Sequence, residues 1–417
     1  MFDETRVSAI TDGYLAHGAT LGANPDINKL LVEPLYDGNS SFGVRELIAN
    51  AVDACMERKK IDGTQGDIIV TVDTTDRIFT ITDNGIGMNE DILCNYFMIA
   101  GSSYRYSHAW REKFIEEGGE KSTIIRNGRF GIGALTVFLI GDEVTVNTRH
   151  LNDEKGYEFT YNMEPCVLNV QRVTKDEVGT TMKIKMHDRV VEDFQIPSKY
   201  RQDSYSYPNI SVDWYEWYHY AEPQVRYYKD QYQIENDSIF IRELFNNAVW
   251  HDIKDTVFSE IKLCFNLNQC YTIVNGIVIE IFNPRLLPLK KWGYITHEPS
   301  MSIKDYYGDT KLTLNLRRTE IIDFIDKVLV IEETYKHCLA QLLMLPVSKF
   351  TGLGTKSELI SSHIISPEIA LNEKGFTICA PSFLYHAKQK QVFLLLVFRP
   401  IQMAEFNIKL IPYAIRN

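Results

Sequence analysis

One amphipathic helix with three polar residues on its second face constrains this chain more than any other feature. Val44, Leu47, Ile48, Ala51 and Cys55 recur at the three- and four-residue spacing of a buried helical stripe. Glu46, Asn50 and Asp53 stand at i, i+4 and i+7, so they share a face turned away from that stripe. A carboxylate and an amide one turn apart can hold an attacking water and a hydrated Mg²⁺ together. The carboxylate orients or deprotonates the water, and the neutral amide oxygen completes an octahedral oxygen shell. Taken alone, the same residues would also make a solvated polar face, so two segments further along the chain have to decide between the readings.

Asp67–Asp73 and Ile78–Thr82 are rich in β-branched and apolar residues and flank the turn Asp73-Thr-Thr-Asp76, which predicts a hairpin. Asp83 stands at the end of its second strand, where a carboxylate can accept a hydrogen bond from the exocyclic amine of adenine. Gly85 and Gly87 allow positive φ and a close backbone approach to a flat base, with Met88 next. A plain Asp-Asn-Gly turn accounts for Asp83 to Gly85 but not for the second glycine. Downstream, Gly128, Gly131 and Gly133 precede the apolar run Ala134–Ile140. Glycine-rich backbone entering a helix N-terminus favours phosphate through free N–H groups and the helix dipole. In this order the three segments supply the parts of an ATP site.

The set resembles the GHKL (Bergerat-fold) ATPases, and within them the heat-shock protein 90 branch. Asn28 through Asn50 is similar to that family's first helices, and Phe97-Met-Ile-Ala-Gly-Ser-Ser103 resembles its "TIAKSGT" stretch. The run from Gly128 to Val146 resembles "GQFGVGFYSAFLVADKVTV", and Val178-Gly-Thr180-Thr-Met-Lys-Ile resembles the "RGTKI" strand that closes the pocket. Downstream, Leu312-Thr-Leu-Asn315-Leu-Arg317-Arg318-Thr-Glu320 is similar to the middle-domain "LPLNLSRE" loop, after a strand pair at Tyr271–Ile279. The resemblance implies that Glu46 activates water, Asn50 holds Mg²⁺, Asp83 reads adenine and Arg318 reaches the γ-phosphate. It also implies nucleotide contacts from Asp53, Gly85, Gly87, Met88, Asn95, Gly128, Phe130, Gly131, Gly133, Ala134 and Thr180. The family's lysine in "TIAKSGT" is Gly101 here, with Arg105 as a stand-in, and residues 101–127 take the place of a charged, solvated lid over ATP.

Length and charge agree with this placement. At 417 residues the chain has room for two or three domains, and 45% hydrophobic residues are ample for buried cores. A net charge of −11 argues against nucleic acid or an anionic membrane as the main partner, and so against a DNA-acting member of the mismatch-repair or topoisomerase type. Seven cysteines without a Cys-x-x-Cys pair fit a reduced, cytoplasmic protein. No signal segment opens the chain, and the longest apolar run, Val392–Phe398, is too short to span a bilayer and reads as a strand.

The expected architecture is α+β. Residues 1–195 would form a two-layer α/β sandwich that binds ATP, and residues 200–417 an α/β middle-type domain with its catalytic-arginine loop at 312–320. A short helix is expected near residues 190–198, strands at 261–265 and 272–281, and a helix over 321–343. The tyrosine-rich stretch 200–232 reads as core or interface packing. The family's C-terminal dimerisation domain has no counterpart here, which leaves ATP-dependent transient pairing of two copies, with residues 1–24 as an exchange segment. The expected function is Mg²⁺-dependent ATP hydrolysis that drives lid closure and domain motion on a protein partner. The second expectation is an ATP-gated switch subunit of a multiprotein complex, such as a bacterial antiviral system, in which hydrolysis is dispensable.

Overall fold

A computed structural model describes residues 10–11, 14–16, 36–99, 101–117, 119–128, 131, 133–162, 168–195, 213–234, 248–253, 256, 260–264, 271–280, 299–308, 311–326 and 329–330. Expectations placed on the rest, including Phe130, most of residues 1–35, residues 331–343 and the run 392–398, lie outside the described residues.

In chain order the elements are β1 (Ile10–Thr11), β2 (Tyr14–Ala16), α1 (Ser40–Asp62), β3 (Asp67–Asp73), β4 (Ile78–Asp83), α2 (Glu90–Ile92), α3 (His108–Phe114), α4 (Gly133–Thr136), β5 (Gly141–Arg149), β6 (Gly156–Tyr161), β7 (Asn169–Val173), β8 (Gly179–Met186) and α5 (Asp188–Gln195). After these come β9 (Gln224–Lys229), β10 (Tyr232–Gln233), β11 (Trp250–Asp252), β12 (Glu260–Cys264), β13 (Thr272–Val274), β14 (Ile277–Glu280), β15 (Ser300–Lys304), β16 (Leu312–Leu314) and β17 (Ile321–Phe324).

The first sheet has the order β1-β2-β7-β6-β5-β8-β4-β3-β9-β10. Its one parallel pairing is β3 with β9; the others are antiparallel. Alternation sets its two faces: Ile68, Val70 and Val72 of β3, Phe79 and Ile81 of β4, and Met182 and Ile184 of β8 are buried, with partly exposed or exposed residues between them. α1 covers the buried face with Val44, Leu47, Ile48, Ala51, Val52 and Cys55, all in one core cluster with those strands. Asn39 caps its start by accepting from the Ser41 N–H, and Gly63 ends it in the left-handed region at φ +79°. This is the expected two-layer sandwich. Ile48 is fully buried at the middle of α1, so Ile48→Ala should cost about 2–5 kcal/mol in denaturant unfolding.

Two expectations are corrected. Residues 321–324 form a strand paired with β16 rather than the start of a helix, because Leu312, Thr313 and Leu314 offer them an edge. The strand pair expected at 271–279 is present as β13 and β14, antiparallel and turned at Asn275-Gly276, where Asn275 has φ +52°. The tyrosine-rich segment is not wholly part of the second unit, since β9 joins the first sheet beside β3. Its Trp214, Trp217, Tyr218 and Tyr227 are buried in the same core cluster, as packing requires, while Tyr232 is exposed. The second sheet runs β11-β12-β15-β13-β14 and carries the β16–β17 hairpin after it.

Candidate nucleotide site

The three sequence segments meet at one cavity of about 180 Å³, lined among others by Asn50, Asp53, Asp83, Gly87, Met88 and Thr180. Gly128, Gly131, Gly133 and Arg318 line it as well. The segment after β4 is lashed to α1, since the Ile86 N–H donates to the Ala54 carbonyl (3.0 Å), and to β5, since the Met88 N–H donates to Thr148 Oγ1 (2.9 Å). Thr148 in turn shares a hydrogen bond with Thr180 Oγ1 at 2.9 Å. Gly87 adopts φ +68°, and a Cβ there would stand 2.0 Å from the Arg149 carbonyl oxygen, so only glycine fits. Gly85 does not use positive φ: its requirement is space, with Ala54 Cβ 2.5 Å from where its own Cβ would be.

Asp83 accepts from the Gly85 N–H at 2.8 Å. Burial pushes its pKa up to about 6, against the Gly85 and Thr180 N–H groups and the cations Lys175 and Arg58. Asp53 serves the loop instead. Its Oδ1 accepts from the Asn127 N–H (2.7 Å) and its Oδ2 from the Gly128 N–H (2.6 Å). Burial raises its pKa as well, opposed by Arg126 and these two N–H groups. Asn50 is exposed to the cavity, and a Cβ on Gly133 would stand 2.7 Å from its Nδ2, so amide and glycine loop are direct neighbours.

Glu46, one helical turn before Asn50, is 1% exposed and does not itself line the cavity; it is held on both oxygens. Oε1 accepts from Arg45 Nη2 at 2.8 Å, and Oε2 pairs with Arg318 Nη1 at 3.0 Å. Burial works to raise its pKa, but Arg318 and Arg45 outweigh it and hold the carboxyl below its usual range. Arg318 is positioned by the turn after β16. Asn315 Oδ1 accepts from the Thr319 N–H (2.8 Å), and Arg318 itself sits at φ +51°. Arg45 secures that turn by donating to the carbonyls of Arg317 (2.5 Å) and Arg318 (3.1 Å), with its guanidinium over the rings of Phe42 and Trp217. The sequence pattern does not single out Arg45; its position next to Glu46 is the available signal.

Other placements differ from expectation. Asn95 is exposed and does not line the cavity; its Nδ2 donates to Asp91 Oδ1 at 2.6 Å, and Tyr96 and Phe97 line the wall instead. The Phe130 position lies outside the described residues, and of Ala134 only the backbone, at the first turn of α4, is described. Arg105 does not stand in at the cavity: it is buried, donates to the Arg126 carbonyl (3.2 Å) and lies over Trp110. The 101–127 segment is therefore only partly a solvated flap. Arg111, Glu112, Lys113, Glu116, Glu117 and Glu120 are exposed, but Trp110, Phe114 and Ile124 form a small core of their own. Trp110 Nε1 donates to Glu57 Oε1 at 2.8 Å, which ties the segment to α1, and the Ser122 N–H donates to the Tyr306 carbonyl, which ties it to the end of β15.

The cavity suits an adenine nucleotide with Mg²⁺. A buried carboxylate and a glycine cradle stand at one part, and an exposed amide, N–H groups and an arginine at another. Among the described residues no three His, Cys, Asp or Glu side chains converge on a point. That is compatible with Mg²⁺, which keeps several waters and takes one or two protein ligands beside phosphate oxygens.

Comparison with known proteins agrees. A family model described as "Histidine kinase-, DNA gyrase B-, and HSP90-like ATPase" matches residues 39–188. A stretch of 170 residues is 35% identical to "Chaperone protein HtpG" of Sulfurovum sp. (strain NBC37-1), covering 38% of this chain and 26% of that protein. The HtpG of Aliarcobacter butzleri (strain RM4018) is 30% identical over 190 residues, 41% of this chain and 28% of its own length. The matched region thus spans less than a third of these relatives. Among the described residues no helix is long and apolar enough to cross a membrane.

Proposed function

We propose that this chain, whose residues 39–188 belong to the histidine kinase-, DNA gyrase B- and HSP90-like ATPase family on its HSP90-like branch, binds Mg-ATP and hydrolyses it to drive motion of the 101–127 segment and the second sheet on a protein partner. The observation that carries this reading is the convergence of Asp83, Asn50, the three loop glycines and Arg318 on one cavity, although Arg318 is 235 positions beyond Asp83 in sequence (318 − 83).

The residues divide the work by position. Asp83 accepts from the exocyclic amine of the base, with Gly87 and Thr180 beside it. Asn50 would supply an amide oxygen to Mg²⁺, which when bound would neutralise phosphate charge. The backbone N–H groups of Gly131 and Gly133, which line the cavity, are offered to the phosphates, while that of Gly128 is held by Asp53. Arg318 stabilises charge on the terminal phosphoryl, and Glu46 orients or deprotonates the attacking water. Glu46 can do so only after its pair with Arg318 opens. Arg318 leaving Glu46 for a phosphate would perform both steps at once, which makes hydrolysis depend on the position of the β16–β17 hairpin. The chain then consists of an ATP-binding unit over residues 1–195, joined by β9, and a second unit that carries the 312–320 loop.

The double engagement of Glu46 also favours the second reading, an ATP-gated switch in a protein complex whose output tracks binding. Turnover by the purified chain with Mg²⁺ and with a chelator separates the readings. Phosphate release that needs Mg²⁺ supports the ATPase, and binding without release supports the switch. Failure to bind ATP would sink both.

A further inference from the structure

Two cations line the cavity among the described residues, Arg318 and Arg126, against the carboxylates of Asp53, Glu57 and Asp83. A polyphosphate entering so acidic a lining depends on both. Arg318 is engaged by Glu46. Arg126 stands at the glycine loop: a Cβ on Gly128 would lie 3.7 Å from its Nε and 4.0 Å from its Nη2.

Its orientation is fixed from several sides. Nη1 is bonded to Glu57 Oε1, which also holds Trp110. The guanidinium lies over the rings of Tyr104 and Trp110, at 5.8 and 5.4 Å from their centroids. Its carbonyl accepts from Arg105 Nη1 (3.2 Å) and from Asn275 Nδ2 (3.3 Å) of the second sheet's turn. Yet Nε is buried and makes no hydrogen bond among the described residues. Asp53 Oδ2 is 3.7 Å from it, beyond hydrogen-bond range, and is already used by the Gly128 N–H. A guanidinium held rigidly with its Nε–Nη2 edge toward a glycine loop, and with an unmet buried donor on that edge, is prepared for an oxyanion.

We propose that Arg126 is a phosphate-binding residue of this cavity, donating through Nε and Nη2 to the nucleotide's phosphate chain beside Gly128 while Glu57 holds it in place. The inference rests on the nucleotide reading above. The competing role is purely structural, a cation that neutralises Glu57 and Asp53.

Calorimetric titration with ATP, ADP and adenosine distinguishes the two. In Arg126→Met the affinities for ATP and ADP should fall roughly 10- to 100-fold while that for adenosine is unchanged, and Arg126→Lys should recover part of the loss, as a point charge without the fork. Should Arg126→Met leave the buried Glu57 carboxylate too costly for folding, the double variant Arg126→Met/Glu57→Gln carries the same comparison without that charge. An equal loss for all three ligands, or none for ATP, overturns the proposal. Failure of the underlying reading is visible separately, because wild type would then bind none of the three. If wild type binds ATP, Asp83→Asn loses ATP and adenosine alike, and Arg126→Met leaves the ATP-to-adenosine ratio unaltered, the Arg126 assignment alone falls.

Discussion

Asp83→Asn should abolish adenine-nucleotide binding and at the same time make the ligand-free protein more stable at neutral pH. The carboxyl has its ordinary value of 3.8 in the unfolded chain and about 6 in the fold, chiefly because of burial. The folded state therefore holds this proton more tightly. Stability falls as pH rises from 3.8 to about 6, and above that the whole cost of the buried charge, on the order of 2–3 kcal/mol, is carried. Asn removes the charge but keeps an oxygen for the Gly85 N–H, so a net gain of about 1–2 kcal/mol remains, read as a rise in melting temperature of a few degrees. The gain should shrink as pH is lowered below about 6, where wild type is already protonated. Binding moves the other way. With the Asn oxygen held by Gly85, its NH₂ faces the exocyclic amine of adenine, donor against donor, and a loss of at least about 100-fold is expected. For the same reason wild-type affinity should weaken as pH falls below about 6. A variant that loses stability and affinity together would mean that Asp83 is structural rather than an adenine reader.

How far the site was legible depended on the range over which each residue's placement is decided. α1 and the β3–β4 hairpin were readable because local periodicity fixes them: the stripe from Val44 to Cys55 is buried as spaced, and Ile68, Val70 and Val72 point inward as alternation demands. Asp83 and Gly87 inherit their positions from the end of β4, so they too were legible. Asn95 was not. After α2 the chain continues in a π-helical turn over Leu93–Phe97, and the wider winding turns Tyr96 and Phe97 to the cavity and Asn95 outward. Nothing in the one-dimensional pattern announces that change of period. Arg126 and Arg105 read as two more charges of a solvated lid, but Glu57 and Asn275, which help fix the surroundings of Arg126, come from distant parts of the chain. The strand at 321–324 has enough apolar residues for a helix, and its pairing with β16 decides the matter. The placement of β9 beside β3 is likewise a long-range pairing that no local signal carries.

The largest kinetic effects are expected at Glu46 and Arg318, and the two substitutions should differ in what they do to the fold. Arg45, Glu46 and Arg318 are all buried, two guanidiniums sharing one carboxylate. Arg318→Ala leaves a neutral Arg45–Glu46 pair but strips the buried Glu46 Oε2 of its partner, so it should cost about 1–3 kcal/mol. Turnover should fall by roughly 10³-fold or more, because charge on the transferred phosphoryl loses its arginine. Glu46→Ala leaves Arg45 and Arg318 facing each other without an anion, at a cost of about 3–5 kcal/mol, and turnover should drop roughly 10²- to 10⁴-fold through loss of the water-activating carboxylate. Phosphate can then take the place of the missing carboxylate. Glu46→Ala should accordingly bind ATP at least as tightly as wild type, which must first open the Arg318–Glu46 pair, and ATP should raise its melting temperature by more. Single-turnover kinetics with parallel melting curves measure both quantities. Wild-type turnover in Arg318→Ala would detach the β16–β17 hairpin from the chemistry. Weaker ATP binding in Glu46→Ala would mean that Arg318 stays on its own side of the cavity and never reaches the nucleotide.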